Sequence, residues 1–337
     1  MSTFLVSPDE IITSGVHGEL LRHDPATGRT LGPLLTGAIE SPLVGSPDGR
    51  LLAAASARTE KLAIWDRGNG QQLAQFPDVP ASASIAWSPA GDLLATALGP
   101  STELWDVSNP RHPKLAATVP NAHGSARPDY LLFSPDGRLL VTAAAEDKHL
   151  TAIDVATHHV KWSIIIPDLA VRQVALSPDG KAIAVSSGDT TKGQVTLYDA
   201  HTGKQGRSLS TRSYGGVAYL HDGKWLVVTG GATKPDAQLY NSATLQPIGV
   251  PFPTQRTLFL SQQKTGEVFG DPIAVSNTGT MFSEAEFNSP LLWDADPAHW
   301  LAIACRIASR NLTKAEWHEY LPSRPYESTC PQWPSGQ

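Results

Sequence analysis

The sequence predicts an all-β fold of seven repeated, four-stranded antiparallel units closed by a short helical ending. Three observations predict it. A turn motif recurs along the whole chain, as Ser46-Pro47-Asp48-Gly49, Ser134-Pro135-Asp136-Gly137 and Ser177-Pro178-Asp179-Gly180. Blurred copies stand at Ser7-Pro8-Asp9-Glu10, Ser88-Pro89-Ala90-Gly91, Leu220-His221-Asp222-Gly223 and Ser276-Asn277-Thr278-Gly279. Each copy is followed, 16 to 21 residues after its first residue, by a bulky residue and then Asp or Asn. After Asp294 the pattern stops and apolar residues take helical spacing.

The turn has a mechanical reading. Pro presets φ for the first central position, Asp bonds nearby backbone, and Gly accepts the positive φ that completes the reversal. Short apolar runs flank it, such as Val174-Ala175-Leu176 before and Ala182-Ile183-Ala184-Val185 after, so each copy reads as a β-hairpin. The bulky-Asp pairs are Trp65-Asp66, Trp105-Asp106, Tyr198-Asp199 and Trp293-Asp294, with weaker forms at His23-Asp24, Ile153-Asp154 and Tyr240-Asn241. The interval leaves room for a second strand, a loop and a third strand. A further turn, as in Asp199-Ala200-His201-Thr202-Gly203, then leads to a fourth.

Taken in order, unit one begins at Phe4-Leu5-Val6, unit two runs from Pro42 to Phe76, and unit three from Ser84 to Val119. Unit four spans Tyr130 to Ile166, unit five Gln173 to Leu209, and unit six Gly216 to about Phe252. Turn-to-turn spacings are 39, 42, 46, 43, 43 and 56 residues, so the seventh unit arrives late, with its surplus between Pro253 and Asp271. A period of roughly 40–45 residues with an aromatic-Asp pair ending the third strand resembles the WD40 repeat family. The resemblance implies a seven-bladed WD40-like β-propeller over residues 1–295.

Beyond it, residues 296–337 read as a helical appendix expected to pack on the propeller. Asp296 and Pro297 suit an N-cap and first helical position, and Trp300, Ile303, Ala304 and Ile307 form an apolar stripe. Thr313-Lys314-Ala315-Glu316 reads as a capping box for a second helix, which carries Trp317 and stops at Pro322. Ala304-Cys305-Arg306, Arg310-Asn311-Leu312-Thr313, Glu316-Trp317 and Thr329-Cys330-Pro331 resemble the ending of bacterial WD40 arrays. Such arrays form the C-terminal sensor region of STAND-type signalling NTPases. The resemblance brings no NTPase with it, since the chain has no Gly-x-x-x-x-Gly-Lys-Ser/Thr phosphate loop.

Composition agrees with many short strands and turns: 28 glycines, 27 prolines and only 17% charged residues. A net charge of −6 gives no pull toward nucleic acid. Met1 to Glu10 has neither a basic start nor a long apolar run, and no stretch reaches the ~18 apolar residues of a membrane span. The expectation is a cytoplasmic protein without a membrane partner. Two cysteines exclude a disulfide-built scaffold. Cys305 and Cys330 keep two readings, a buried small residue with an incidental thiol, or a staple across the appendix; reduced thiols are the favoured reading for a reducing cytosol.

Catalytic motifs are absent: no Gly-x-Ser-x-Gly, His-Glu-x-x-His or Cys-x-x-Cys. Neither a metal nor a cofactor is expected. His158-His159 is read as a solvated turn, because adjacent residues of an extended chain point to opposite sides. His123 sits where WD40 blades place a structural histidine. Trp65, Trp105 and Trp293 hold third-strand core positions, which leaves Trp162 and Trp225 without an assigned role.

Two function classes follow. The adopted one is a non-catalytic protein-interaction scaffold or sensor in bacterial signalling, with loop candidates Arg58, Glu60, His123, Arg127, Asp129, Arg172, Arg212 and Tyr214. Their mixed charges suit a protein or peptide partner. The alternative is a propeller enzyme, hydrolase- or lactonase-like, with its site in the central channel. Closure sets a further expectation. Either residues 254–270 supply the outer strand of blade seven, or that blade shows an open edge, to be covered in longer relatives by an upstream NTPase or effector region.

Overall fold

The computed structural model describes residues 4–336 apart from 7–10, 15–19, 122–127, 230–235, 254–272, 276–279, 284–290 and shorter gaps. Among the described residues, six antiparallel four-stranded sheets follow one another along the chain, then one three-stranded sheet. The first is Phe4–Val6, Ile11–Ser14, Leu20–His23 and Thr30–Leu35; the second is Ile39–Gly45, Leu51–Ser56, Lys61–Asp66 and Gln72–Pro80. The third is Ser84–Trp87, Leu93–Leu98, Ser101–Asp106 and Lys114–Pro120; the fourth is Tyr130–Phe133, Leu139–Ala144, His149–Asp154 and His159–Ile165. The fifth is Val171–Leu176, Ala182–Gly188, Gly193–Asp199 and Gln205–Thr211; the sixth is Val217–Tyr219, Trp225–Thr229, Asp236–Asn241 and Pro247–Pro253. The three-stranded sheet is Ile273–Val275, Thr280–Ser283 and Leu291–Asp294. Each sheet's first strand packs beside the next sheet's first strand, and Ile273–Val275 returns to Phe4–Val6. Sheets radiating from such a closed ring of inner strands form a β-propeller. Residues 254–270, the expected source of a fourth outer strand, lie outside the described residues.

Burial between neighbouring sheets explains the sequence pattern. Leu52 and Ala54 face Ile12 and Leu20 of the first sheet, whereas the intervening Ala53 joins Trp87, Leu94 and Trp105 of the third. A strand apolar on both faces loses the polar alternation of a half-exposed one, hence continuous runs such as Leu51-Leu52-Ala53-Ala54. Phe76 and Trp105 close one inter-sheet core edge to face, with ring centroids 5.0 Å apart. In all six four-stranded sheets the third strand pairs with the fourth through a register shift. Such bulges increase local twist.

The recurrent turn is built alike in its intact copies. Ser46 Oγ donates to Asp48 Oδ1 at 2.6 Å and accepts from the Leu51 amide at 2.9 Å, and Ser134 and Ser177 repeat both bonds. Gly49, Gly137 and Gly180 close these turns at φ of about +70°. In the blurred copy, Ser88 finds Asp92 in place of the missing aspartate, at 2.9 Å. The turns also lock onto one another. A Cβ on Gly180 would lie 3.3 Å from Pro135 of the preceding sheet, and one on Gly223 would lie 3.3 Å from Pro178. The third-strand aspartates start the next turn: Asp154 Oδ1 and Asp199 Oδ1 accept the amides of Thr157 and Thr202.

Two expectations for the appendix are corrected. Cys305 and Cys330 are joined by a disulfide with Cα atoms 5.5 Å apart, not held as free thiols. The tail folds back because buried Asn311 gathers it. Asn311 Nδ2 donates to the carbonyls of Cys330, Trp333 and Pro334, and its Oδ1 accepts the Cys330 amide at 2.8 Å. Closing a loop with 25 residues of separation stabilises by about 3.5 kcal/mol on chain-entropy grounds. The second correction concerns α1, Pro297–Ala308, whose stripe was expected to be buried. Trp300 is 37% exposed, Ile303 41% and Ile307 77%, since only Cys305 among residues 300–308 is buried. Helix α2, Lys314–Tyr320, keeps its expected capping box between Thr313 and Glu316.

Candidate functional site

Strands that alternate direction put their connections at alternate ends. First-to-second and third-to-fourth turns share one end of the propeller, and second-to-third loops share the other with the sheet-to-sheet links. Of the eight loop candidates, Asp129 and Arg212 lie on sheet-to-sheet links at the second end, and Arg172 lies not in a loop but near the start of the strand Val171–Leu176 at that same end. Arg58, Glu60, His123, Arg127 and Tyr214 lie outside the described residues; Asp129, Arg172 and Arg212 lie within them.

Asp129, which is exposed, and the half-buried Arg172 also bond to the frame. Asp129 Oδ2 accepts the Ala145 amide at 2.7 Å, and its backbone carbonyl accepts Ser84 Oγ from the third sheet at 3.1 Å. The adjacent Tyr130 hydroxyl donates to the Arg172 carbonyl in the fifth sheet. Burial, reinforced by the Asp129 charge and opposed by Arg172, pushes the Tyr130 phenol up to about 12, so it remains a donor at neutral pH. Arg172 Nε in turn donates to the Gly188 carbonyl at 3.0 Å. The belt continues into the sixth sheet, where Gln173 Oε1 accepts the Val217 amide at 3.1 Å and Ser186 Oγ donates to the Gly215 carbonyl at 2.7 Å. These bonds tie the third through sixth sheets at one end. Arg212 remains an exposed cation beside them.

The opposite end holds a feature that the sequence reading missed. Arg22, Leu34, Gly49, Arg50, Asp66, Arg67 and Gly68 line a cleft of about 450 Å³ between the first and second sheets. Arg67 Nη1 donates to the Gly49 carbonyl at 3.0 Å, while Arg50 stands 3.8 Å from Asp48 and is largely exposed. Asp66 Oδ1 accepts the amides of Gly68 and Asn69. Three guanidinium groups, set against the Asp66 carboxylate in the lining and Asp48 beside Arg50, leave the cleft a positive balance, with the planar donors that suit carboxylate or phosphate oxygens. Arg50 and Arg67 each directly follow a repeat motif, Ser-Pro-Asp-Gly and Trp-Asp, and this was the available signal. Arg22 joins them only through the packing of two sheets.

The unassigned tryptophans are structural. Trp162 Nε1 donates to the Ala200 carbonyl of the fifth sheet at 3.1 Å, and Trp225 packs against the core of the sixth. Trp105 Nε1 reaches Thr96 Oγ1 at 3.3 Å and Glu103 Oε2 at 3.2 Å. Trp65 has no such partner, because alanines 54 and 63 occupy the equivalent register positions. His158 and His159 are both exposed. Among the described residues, no three His, Cys, Asp or Glu side chains are grouped to hold a metal ion, and no helix is long and apolar enough to cross a membrane.

The class defined by this architecture is the β-propeller, tied internally by hydrogen bonds between its sheets. Among solved structures the chain is similar to Kuenenia stuttgartiensis hydrazine synthase, with a TM-score of 0.67 and 17% identity, over 87% of this chain and 96% of that one. At that identity the likeness concerns the fold alone. No protein-family model matches the chain, and no curated protein sequence does.

Proposed function

We propose that the chain is a seven-bladed, WD40-like propeller acting as a non-catalytic protein-interaction or sensor module in bacterial signalling, in the cytoplasm. The supporting observation is the belt of hydrogen bonds from Ser84 through Asp129, Tyr130 and Arg172 to Gln173 and Ser186. It holds one end of the propeller as a preorganised platform, and preorganisation lowers the ordering cost of binding. The links carried on that platform bear charges of both signs, with Arg212 exposed among them. The resemblance of the repeat and of the ending to STAND-type sensor regions supplies the signalling context.

The test compares the full chain with Arg212→Glu and with Arg138→Glu, a reversal at the exposed turn on the opposite end. Each is immobilised in lysate from its own source, and retained proteins are cross-linked and identified. A protein retained by wild type and Arg138→Glu but lost from Arg212→Glu supports the reading. Equal retention by all three, or turnover of an ester or lactone panel by purified wild type, overturns it.

A further inference from the structure

We propose that the cleft between the first and second sheets binds a small soluble oxyanion, a molecule that presents two or more phosphate or carboxylate groups. The cleft lies at the end opposite the platform, and the proposal does not depend on the interaction reading. The chain's own repeats supply the reference. Each sheet has a position two residues before the Asp or Asn that ends its third strand. In the second to sixth sheets it holds Ile64, Leu104, Ala152, Leu197 and Leu239; in the first it holds Arg22. Leu20, two residues earlier in that strand, packs with Leu43 and Leu52 of the second sheet. Residues two apart share a face, so Arg22 is directed at the second sheet as well.

The residue just after the same Asp also repeats. Its amide donates to the residue that follows the turn glycine: Arg67 to the Arg50 carbonyl, Val107 to Asp92, Val155 to Arg138 and Ala200 to Lys181. The backbone is alike in these four sheets, yet only the second places a charge there. Arg67 Nη1 bonds the Gly49 carbonyl, and a Cβ on Gly49 would lie 3.1 Å from it. That bond does not require arginine, since Ser242 Oγ makes it to the Gly223 carbonyl in the sixth sheet at 2.6 Å. Two half-buried arginines thus stand where the other sheets use mostly apolar residues. Partial burial of charge costs free energy that an apolar residue avoids, and such departures from a local rule gather at functional sites.

The open space is a departure of the same kind. Ala152, the counterpart of Arg22 in the fourth sheet, lies opposite Trp162, whose ring covers Gly203 and bonds Ala200 in the fifth. Arg22 lies opposite Gly32, where no atom stands within 4 Å of a Cβ position. What an indole fills between the fourth and fifth sheets is left as a cleft between the first and second. Its volume of about 450 Å³ falls within the range of about 300–1,000 Å³ typical of small-molecule sites. Leu34 supplies an apolar wall, and Arg50 is largely exposed. The turns engage both nearby carboxylates. Asp66 Oδ1 accepts the Gly68 and Asn69 amides, and Asp48 Oδ1 accepts the Ser46 hydroxyl and the Arg50 amide.

Isothermal titration of the full chain at low salt tests the site with pyrophosphate and with citrate, each against sodium chloride of matched ionic strength. Wild type should bind at least one of them saturably at a single site, and the tighter of the two assigns phosphate or carboxylate as the preferred group. Arg22→Leu and Arg67→Val restore residue types of the other sheets. Each should weaken binding roughly tenfold or more, the loss expected for a hydrogen bond to a charged group. Thermal melts check that both variants fold. Arg50→Ala, at an exposed side chain, keeps the test decisive if either does not, and should weaken binding severalfold. Arg138→Ala, at the same turn position in the fourth sheet, should leave binding unchanged. No saturable heat beyond the chloride blank, unchanged binding in the cleft variants, or an equal loss in Arg138→Ala overturns the proposal.

Discussion

Replacing Gly203 by Ala should destabilise the propeller through one ring in the neighbouring sheet. Gly203 closes the turn after Asp199 at φ +70°, with its amide donating to the Asp199 carbonyl at 2.9 Å. A Cβ there would stand 2.8 Å from Trp162 Cε3 and 2.9 Å from Cδ2, where carbons normally keep about 3.5–4.0 Å. The indole cannot simply swing away, because its Nε1 is bonded to the Ala200 carbonyl. Left-handed backbone costs an alanine about 1–2 kcal/mol, and overpacking adds about 1–3 kcal/mol, so Gly203→Ala should cost about 2–5 kcal/mol.

Two comparisons isolate the contact in denaturant titrations. Gly249 has φ +66° with open space around its Cβ direction, so Gly249→Ala should show the backbone cost of about 1–2 kcal/mol alone. In a Trp162→Ala background the overpacking disappears, and the cost of Gly203→Ala should fall to that same level. The resulting coupling is about 1–3 kcal/mol in a double-mutant cycle. A Gly203→Ala cost that is equal in both backgrounds, or no larger than that of Gly249→Ala, refutes the reasoning.

Among the recurrent turns, Gly180→Val should lower the melting temperature more than Gly137→Val, and both more than Gly68→Val. Gly180 and Gly137 need positive φ, and a Cβ would meet the preceding proline at 3.3 and 3.9 Å, whereas Gly68 lies outside the left-handed region. Asn311→Ala should release the tail, since each buried group left unsatisfied costs roughly 1–3 kcal/mol; loss of exchange protection at the Cys330 amide measures it. Acid should weaken the chain in a defined direction. The serine bonds at Asp48, Asp136 and Asp179 hold these carboxyls below their usual range, and Arg310 holds Glu316 down at about 2. Depressed folded values contribute stability above the unfolded value and lose it as pH falls through the folded one, so melting temperature should drop from about pH 4.5 toward 2. Replacing Asp48, Asp136 and Asp179 together by Ala should flatten that slope, as differential scanning fluorimetry would record.

The bonds that Asp129 and Arg172 make to the frame were not legible in the sequence. Charge and loop position pointed to Asp129, Arg172 and Arg212, but a charged residue in a link reads the same whether it faces a partner or the next sheet. The Ser84, Ala145 and Gly188 groups that engage Asp129 and Arg172 are remote in sequence or backbone atoms, and carry no side-chain signal of their own. The arginine cleft was hidden for a related reason, since Arg22 and Arg67 belong to different repeats and meet only when two sheets stack.

What the sequence determined by itself was local and periodic. The Ser-Pro-Asp-Gly hairpins, the bulky-Asp strand endings, the doubly apolar middle strands and the Thr313–Glu316 capping box all follow from residues within a few positions of one another. Turn geometry and strand pairing are short-range constraints, so the residues that satisfy them must lie close together in the chain. Tertiary structure decided the rest: the turn prolines as seats for the next sheet's glycines, Trp162 over Gly203, the exposure of α1, and the pairing of Cys305 with Cys330. Those depend on distances between segments tens of residues apart, set by how sheets stack around the ring and how Asn311 gathers the tail. No local pattern encodes such distances, because the same residue serves equally well beside a different neighbour until packing chooses one.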